Sequence, residues 1–307
     1  MSQESRSSLT RYAFLSIIAA VTTIAMKSVA YWLTGSVGLL SDALESIVNL
    51  VAAAFTMAML VVAARPPDED HRYGHEKVEY FSSALEGVLI LVAAVSIAAA
   101  AVTRLMNPQP LERIGIGLVV TLAASVVNLV VARVLLRAGR RANSIALEAD
   151  GQHLMTDVWT SVAVVIGVAL VEPSGWIWLD PVVALAAAAH IASTAVRLIR
   201  RSALGLMDTS LDVAQQQVIE EALQPFRNQG VQFHAVRTRQ SGGRNFVSFH
   251  VLVPGHWTVA AGHAMLEQIE AAVRERIVNV SVFTHLEPID DPASWADVSL
   301  HREVPSA

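Results

Sequence analysis

Long apolar runs, broken by short polar segments, fill the first two thirds of the sequence and limit its fold more than any other feature. A helix of about 20 apolar residues spans the roughly 30 Å hydrocarbon core of a bilayer. The sequence predicts six such helices, over residues 10–34, 36–64, 78–104, 113–137, 144–171 and 177–199. Only 16% of the residues are charged, whereas a soluble domain usually has about 25%. We therefore expect a polytopic α-helical membrane protein.

Basic residues are concentrated in every second connection between the predicted helices. They precede helix 1, lie between helices 2 and 3 and between helices 4 and 5, and follow helix 6. The connections "TGSVG" and "EPSG" contain none, and the third connection on that side is flanked by Arg104 and Arg113. Because basic loops tend to stay in the cytoplasm, this pattern predicts that both termini are cytoplasmic.

The composition changes after about Leu204, where long apolar runs give way to shorter amphipathic segments. Helical periodicity is present in "LDVAQQQVIEEALQPF" and "TVAAGHAMLEQIEAAVRERI", and strand alternation in "VQFHAVRTRQ", "NFVSFHVLV" and "NVSVFTHLEP". The order αββαβ predicts a small α+β domain with its helices on one face of a mainly antiparallel sheet. We expect a membrane domain over residues 1–205, a cytoplasmic domain over 206–290 and a tail over 291–307.

Several classes of protein are excluded or disfavoured by what the sequence lacks. The chain has no cysteine, so disulfides and thiolate metal sites are excluded. Its net charge of −5 argues against a nucleic-acid partner. No HExxH motif is present, and "HRYGHE" lacks a helical histidine pair with a glutamate base, which argues against a membrane metalloenzyme. Any metal site must therefore use histidine, carboxylate, amide or backbone ligands.

Polar residues interrupt two of the apolar runs at helical spacing. Glu45 and Asn49 are four residues apart in the second predicted helix, as are His153 and Asp157 in the fifth, so each pair shares one helix face. Ionisable groups at membrane depth are costly and are usually functional. One imidazole, two carboxylates and one amide make a four-ligand site for a divalent transition metal. The alternative is a polar network between helices that holds no metal.

The depth of the two pairs supports a shared site. At the helical rise per residue, Glu45 lies roughly 13 Å below the outer surface and His153 roughly 18 Å above the inner one. The two depths add up to about 31 Å, close to the thickness of the hydrocarbon core. Because the two helices are antiparallel, we expect Glu45 to be level with Asp157, and Asn49 with His153.

Polar residues also occur elsewhere in and between the predicted helices. Asp42 and Asp150 are expected to line a helix entry or a cavity rather than to bind metal. The connection "RPPDEDHRYGHEKVEY" places Asp68, His71 and His75 within eight residues, a spacing that suits a second, exposed metal site. A solvated charged loop without metal is the alternative.

Histidines recur in the predicted C-terminal domain. In "NFVSFHVLV" the apolar residues alternate with His250, and in "NVSVFTHLEP" they alternate with His285 and Glu287. His234 lies on the first strand, and His263 on the helix that precedes the last strand. Several histidines with a glutamate on one open sheet face indicate a metal cluster, whereas any one of them alone is an ordinary surface residue.

These segments together resemble the cation diffusion facilitator family. The resemblance rests on "GLLSDALESIVNL", "DEDHRYGHEKVEYFSS" and "HLMTDVWTS", followed by an αββαβ domain similar to the family's metallochaperone-like domain. It covers nearly the whole chain. It implies a homodimer in the inner or plasma membrane that exports a divalent metal ion, usually zinc, from the cytoplasm in exchange for protons.

The resemblance also implies a role for each group of polar residues. The implied transport site consists of Glu45, Asn49, His153 and Asp157. The implied loop site consists of Asp68, His71 and His75, and the implied cytoplasmic metal cluster of His234, His250, His263, His285 and Glu287. Lys77 is similar to a lysine that pairs with an aspartate at the dimer interface, and Asp208 is the candidate partner.

Helix 2 departs from the family pattern. Many members have Asp at both ligand positions, and many zinc-selective members have His followed by Asp, where this chain has Glu45 and Asn49. An amide in place of a carboxylate removes one negative charge and should weaken divalent binding. The nitrogen of His153 favours zinc, iron, cobalt or nickel over magnesium or calcium. Zinc is the first candidate, an iron or manganese exporter is the alternative, cadmium is also possible, and a non-transporting metal sensor is a third reading.

Overall fold

The computed structural model describes residues 9–34, 37–107 and 116–296. The chain divides into two compact units near residue 205, and each is described by itself. The finer boundaries given above, including a tail that begins at residue 291, stay predictions. Most of that tail, residues 297–307, lies outside the described part of the chain.

The first unit contains six long helices. They are α1 (Leu9–Thr34), α2 (Val37–Ala63), α3 (Val78–Met106), α4 (Ile116–Ala142), α5 (Ile145–Ser174) and α6 (Leu179–Leu206). Helices α4 and α6 continue past the predicted ends at residues 137 and 199. The prediction ended where arginines become frequent, but helical hydrogen bonds persist in water, and Arg140 and Arg141 stabilise the C-terminal end of the α4 dipole.

Five of these helices are long and apolar enough to cross a membrane by composition alone, counting only the described residues: α1, α2, α3, α4 and α6. Helix α5 has the length, 30 residues, but carries Glu148, Asp150 and Asp157 in its first half. Large apolar side chains such as Trp32 and Val51 are exposed on the helices. Exposed apolar surface of this kind suits contact with lipid rather than water.

Helix α5 belongs to both apolar clusters of the bundle. Its residue Leu147 packs in a cluster shared by α1, α2 and α4, and its residue Ala149 packs in a second cluster shared with α3 and α6. Gly151 allows α4 to approach closely, since a Cβ atom there would lie 2.9 Å from Cγ of Leu136 and 3.2 Å from Cβ of Leu135. The polar face of α5 is therefore held in the middle of the bundle.

Helices α3 and α5 begin at the same level. Ser144 caps α5 by accepting a hydrogen bond from the backbone N–H of Leu147, and its hydroxyl donates to the buried carboxylate of Glu79 in the first turn of α3. The two helices therefore run in the same direction from a common starting level. Glu86 and His153, each eight residues beyond the first residue of its helix, lie at the same depth.

The second unit has the predicted order αββαβ. Its elements are α7 (Val213–Arg227), β1 (Gln232–Ser241), β2 (Arg244–Val253), α8 (Val259–Arg276), β3 (Val280–Pro288) and a short 3₁₀ helix (Pro292–Trp295). Strand β2 is central; it pairs antiparallel with β1 and parallel with β3. The sheet is thus mixed rather than mainly antiparallel, because α8 returns the chain to the end at which β2 began.

Alternation along β2 separates two faces of this sheet. Val247, Phe249 and Val251 are buried against Ile219 of α7 and Ile269 of α8 in one apolar core. The even-numbered residues of β2 therefore face away from both helices. As predicted, the helices cover one face and the histidines lie on the other.

Candidate metal sites

Helices α2 and α5 bring three of the predicted transport-site residues into direct contact. The Nε2 atom of His153 lies 2.8 Å from the Oδ1 atom of Asn49. Asn49 in turn donates a hydrogen bond from Nδ2 to Oδ2 of Asp157 at 2.9 Å. His153 is buried, and the other two are half-buried. An imidazole nitrogen, an amide oxygen and a carboxylate thus converge inside the bundle.

The fourth residue predicted for this site is Glu45. Its backbone lies within α2, one turn before Asn49, but its side chain lies outside what the structure describes, as does that of Asp42. A residue that was not predicted also contacts Asp157: Asn128 on α4 donates from Nδ2 to Oδ2 of Asp157 at 3.0 Å. The participation of Glu45 stays a prediction.

Two buried carboxylates lie next to this group. Glu86 on α3 is 1% exposed, its Oε1 accepts a hydrogen bond from Thr56 at 3.2 Å, and its Oε2 lies 3.0 Å from Nδ1 of His153. Asp150 is equally buried, one turn before His153 on α5, and accepts a hydrogen bond from Ser16 at 2.9 Å. The surroundings of His153 are therefore richer in carboxylates than the predicted site.

The connection between α2 and α3 gathers Asp68, His71 and His75 as predicted for a loop site. Nε2 of His75 and Nδ1 of His71 each lie 3.1 Å from a carboxylate oxygen of Asp68, and one ligand atom from each residue fits within 4.8 Å of the others. The backbone N–H of His71 donates to Asp68 and holds the pKa of that carboxyl below its usual range. The carboxylate is therefore ionised at neutral pH and available to a cation.

A row of histidines crosses the open face of the C-terminal sheet. His234 is the register partner of His250, and His250 is the register partner of His285, with ring centroids 5.0 and 5.1 Å apart. The buried carboxylate of Glu287 lies 3.0 Å from His234, 3.2 Å from His250 and 3.5 Å from His285. Two imidazoles and a carboxylate within 4.8 Å of one another form a donor set that suits zinc.

His263 lies apart from this row within one chain. It is on α8, the helix that packs on the opposite face of the sheet, and its imidazole is 70% exposed and 4.0 Å from Glu267. The prediction that His263 joins the cluster is therefore not met by the single chain, because the sheet itself separates the two. The participation of His263 in a metal cluster stays a prediction.

Lys77 and Asp208 were predicted to pair at a dimer interface. Lys77 immediately precedes α3. Asp208 follows α6 with a positive φ of 56°, and accepts a hydrogen bond from Arg239 of β1 at 3.2 Å. The two residues belong to different units, and their pairing stays a prediction.

Two family models together match nearly the whole chain. A model described as the cation efflux transmembrane domain matches residues 13–207, and one described as the cation efflux protein cytoplasmic domain matches residues 211–289. The chain belongs to the cation efflux, or cation diffusion facilitator, family. It is accordingly a multi-pass membrane transporter rather than an enzyme.

Named relatives of this cation efflux protein align over nearly their full length. An uncharacterized transporter, sll1263, from Synechocystis sp. is 54% identical over 284 residues, 92% of each chain. The cation-efflux pump FieF of Shewanella oneidensis is 30% identical over 89% of this chain and 92% of its own. The pump of the same name from Citrobacter koseri is 27% identical over 91% and 93%, respectively.

Membership confirms the predicted family and the predicted fold class, a helical membrane domain with a small α+β domain. It also supports export of divalent cations as the general activity.

Glu86 and Asn128, which surround the candidate transport site of this cation efflux protein, were not predicted. The only polar residues one turn from each of them are serines, and no ionisable residue lies there, so the helical spacing of ionisable groups did not identify them. The cost of burying a lone polar group in a membrane was the signal that applied to both.

Proposed function

We propose that this cation efflux protein exports a divalent transition-metal ion, zinc first, from the cytoplasm in exchange for protons by alternating access. The observation that carries the proposal is the convergence of His153, Asn49 and Asp157 between α2 and α5. A nitrogen ligand beside a carboxylate suits zinc, iron, cobalt, nickel or cadmium better than magnesium or calcium. An iron or manganese exporter is the second candidate, because the neutral amide of Asn49 gives a less negative site.

Proton exchange is supported by the surroundings of His153. Both nitrogens of its ring face oxygen atoms, Oδ1 of Asn49 on one side and Oε2 of Glu86 on the other. Each N–H of a protonated ring therefore has an acceptor, and a metal ion at Nε2 takes the place of one proton. Histidine is the side chain suited to such exchange near neutral pH. An inward proton gradient would then drive the metal outward.

The C-terminal domain gives this exporter a second proposed property. We infer that it acts as a homodimer with both termini in the cytoplasm, and that metal on the histidine row draws the two C-terminal domains together. The acidic Glu287 among three histidines supports metal binding there. A non-transporting metal sensor would use the same row, but it has no need of polar residues in the middle of the membrane domain.

The test is metal uptake into proteoliposomes that contain the full-length protein and a pH-sensitive dye. Zn²⁺, Fe²⁺, Mn²⁺, Co²⁺, Ni²⁺ and Cd²⁺ are supplied in turn, and metal entry and proton exit are recorded together. We expect zinc uptake with proton counter-flow, and loss of both in His153→Ala and Asp157→Ala. His190→Ala is the matched control, since His190 also lies in a membrane helix, against Trp159, and is not among the candidate ligands.

Unchanged zinc uptake and proton counter-flow in Asp157→Ala would contradict the assignment of the transport site. Equilibrium binding of metal without any uptake would favour the sensor. Uptake of iron or manganese with none of zinc would establish the second candidate.

A further inference from the structure

Glu86 is a buried carboxylate that is not among the proposed metal ligands of the transport site. It lies in the first third of α3, among the largest fully buried side chains of the described residues. Thr56 of α2 donates to its Oε1 atom, and the hydroxyl of Ser82 lies 2.7 Å from that of Thr56. A carboxylate at this depth is costly to bury, so its partners indicate what it contributes.

The other oxygen of Glu86 faces His153. Oε2 of Glu86 lies 3.0 Å from Nδ1 of His153, and within the described residues neither atom has another hydrogen-bond partner. The opposite nitrogen of the ring, Nε2, faces Asn49 and so the side on which Asp157 lies. The imidazole therefore stands between a carboxylate on α3 and the candidate ligands on α2 and α5.

This arrangement is the one that proteins use to orient a histidine that binds metal. Such a histidine binds through one nitrogen and presents the other N–H to a carboxylate, which fixes the tautomer and the direction of the ring. Helices α3 and α5 share a starting level through Glu79 and Ser144, so Glu86 and His153 are held at equal depth. The contact is thus built into the packing of the two helices.

We propose that Glu86 is the positioning residue of the transport site: it holds Nδ1–H of His153 and so aims Nε2 at the transported metal. The proposal rests on the function proposed above. Glu86 also adds a negative charge near a site in which Asn49 supplies none. In this protein α3 therefore contributes to metal recognition although it is not expected to supply a ligand.

The experiment compares Glu86→Gln, Glu86→Leu and wild-type protein, full length, in proteoliposomes with Zn²⁺ as the probe. Gln keeps an oxygen that accepts from Nδ1–H but lacks the charge, and Leu keeps neither. We expect KM for zinc to rise in the order wild type, Gln, Leu, by about 10–100-fold for Leu, the usual effect of losing such a carboxylate. The matched control is Glu148→Gln, a carboxylate on α5 that pairs with Arg201 at 2.8 Å and not with His153. It should lower the melting temperature and leave KM unchanged.

A second measurement separates positioning from ligation and from folding. Co²⁺ replaces Zn²⁺ in a background of Asp68→Ala and His250→Ala, which removes one ligand from each of the other candidate sites. We expect Glu86→Gln to weaken Co²⁺ binding. The visible absorption bands of the bound Co²⁺ should keep the shape that they have in the Asp68→Ala, His250→Ala protein without this third substitution. A changed band shape would make Glu86 a ligand and overturn the positioning role, as would a KM within threefold of wild type in Glu86→Leu. Absence of transport in wild type, or its persistence in His153→Ala, would instead contradict the proposed function, and the Co²⁺ titration would still decide the role of Glu86.

Discussion

Asn49 uses both ends of its amide, with Oδ1 toward His153 and Nδ2 toward Asp157. At the scale of single residues it is the feature that distinguishes this site. A carboxylate at the same position would face His153 equally well but would meet Asp157 with like charge. The amide therefore lowers the cost of the metal-free site and also lowers its attraction for a divalent cation.

Asn49→Asp should destabilise the metal-free site and strengthen its binding of a divalent cation. Without metal, the new carboxylate repels Asp157 and loses the hydrogen bond from Nδ2, so the melting temperature should fall. With Zn²⁺, the extra charge should tighten binding by about tenfold or more, since one charge a few ångströms from a cation is worth over 1 kcal/mol even when partly screened. Thermal unfolding with and without Zn²⁺ measures both effects. Asn49→Ala, which loses the amide and adds no charge, should show the fall without the gain; equal zinc responses in the two variants would contradict the argument.

Asp68 gives a pH-dependent prediction in the loop. Its folded pKa is lowered by the N–H of His71, so the contact stabilises the loop fully above the usual pKa of aspartate, about 3.9. This stabilisation is lost only as the pH falls through the lowered value. The protection factor of the His71 amide, its exchange rate compared with that of an unstructured peptide at the same pH, should therefore fall only once the pH drops below the usual pKa of aspartate. In Asp68→Ala the same amide should exchange fast throughout; slow exchange there would assign the protection to another group.

At the scale of elements, the sequence predicted the helices and strands well and the contacts between helices less well. Apolar length is local information, so six helices and the order αββαβ could be found by pattern alone. The contact of Glu86 with His153 depends on α3 and α5 starting at one level, which is set by Ser144 and Glu79, 65 residues apart in the chain. The parallel pairing of β2 with β3 likewise depends on the path of α8 and not on the strands' own alternation.

Gly151 marks a close approach between α4 and α5. In Gly151→Ala the new Cβ would meet Leu136 at 2.9 Å and the fixed Cβ of Leu135 at 3.2 Å. Overpacking of this kind costs about 1–3 kcal/mol, more than the gain of up to about 1 kcal/mol in helix propensity. We expect a lower melting temperature and weaker zinc uptake, because His153 is two residues away. Adding Leu136→Ala should restore much of both; no restoration would show that the loss has another origin.

The fluorescence of Trp295 can report metal binding at the histidine row of the sheet. The ring of Trp295 lies edge-on to His234, with centroids 5.6 Å apart. Zinc binding should therefore change the fluorescence of Trp295, and Trp295→Phe should remove that change. Glu287→Gln should weaken zinc binding at the row by tenfold or more, whereas Glu267→Gln, beside the distant His263, should not. A full response in Glu287→Gln would exclude Glu287 as a ligand.

At the scale of the whole molecule, the sequence separates a membrane unit from a sheet-containing unit, and the two family models divide the chain at nearly the same place. Orientation in the membrane rests on the distribution of basic residues alone. The helix packing itself carries no label for the two sides of a bilayer, so the orientation needs a test of its own.

The absence of cysteine makes that orientation simple to test. Asp70→Cys places one thiol in the exposed connection between α2 and α3, and Ser174→Cys places one at the exposed end of α5. An impermeant thiol reagent should label Ser174→Cys in intact cells and Asp70→Cys only after the membrane is opened. The reverse pattern would invert the predicted topology and with it the direction of export.

The two amides that converge on Asp157 bear on how the carrier resets. An exporter must return to its inward-facing conformation after it releases the metal ion. An unpaired carboxylate in the apolar interior of the bilayer would make that step energetically costly. Asn49 and Asn128 each donate a hydrogen bond to the same oxygen of Asp157, so this carboxylate is stabilised by the protein when the metal site is empty. The two amides lower the affinity of the site for the metal ion, but they also lower the energetic cost of returning the empty transporter to its inward-facing conformation. Turnover in this transporter should therefore be limited by loading rather than by the return.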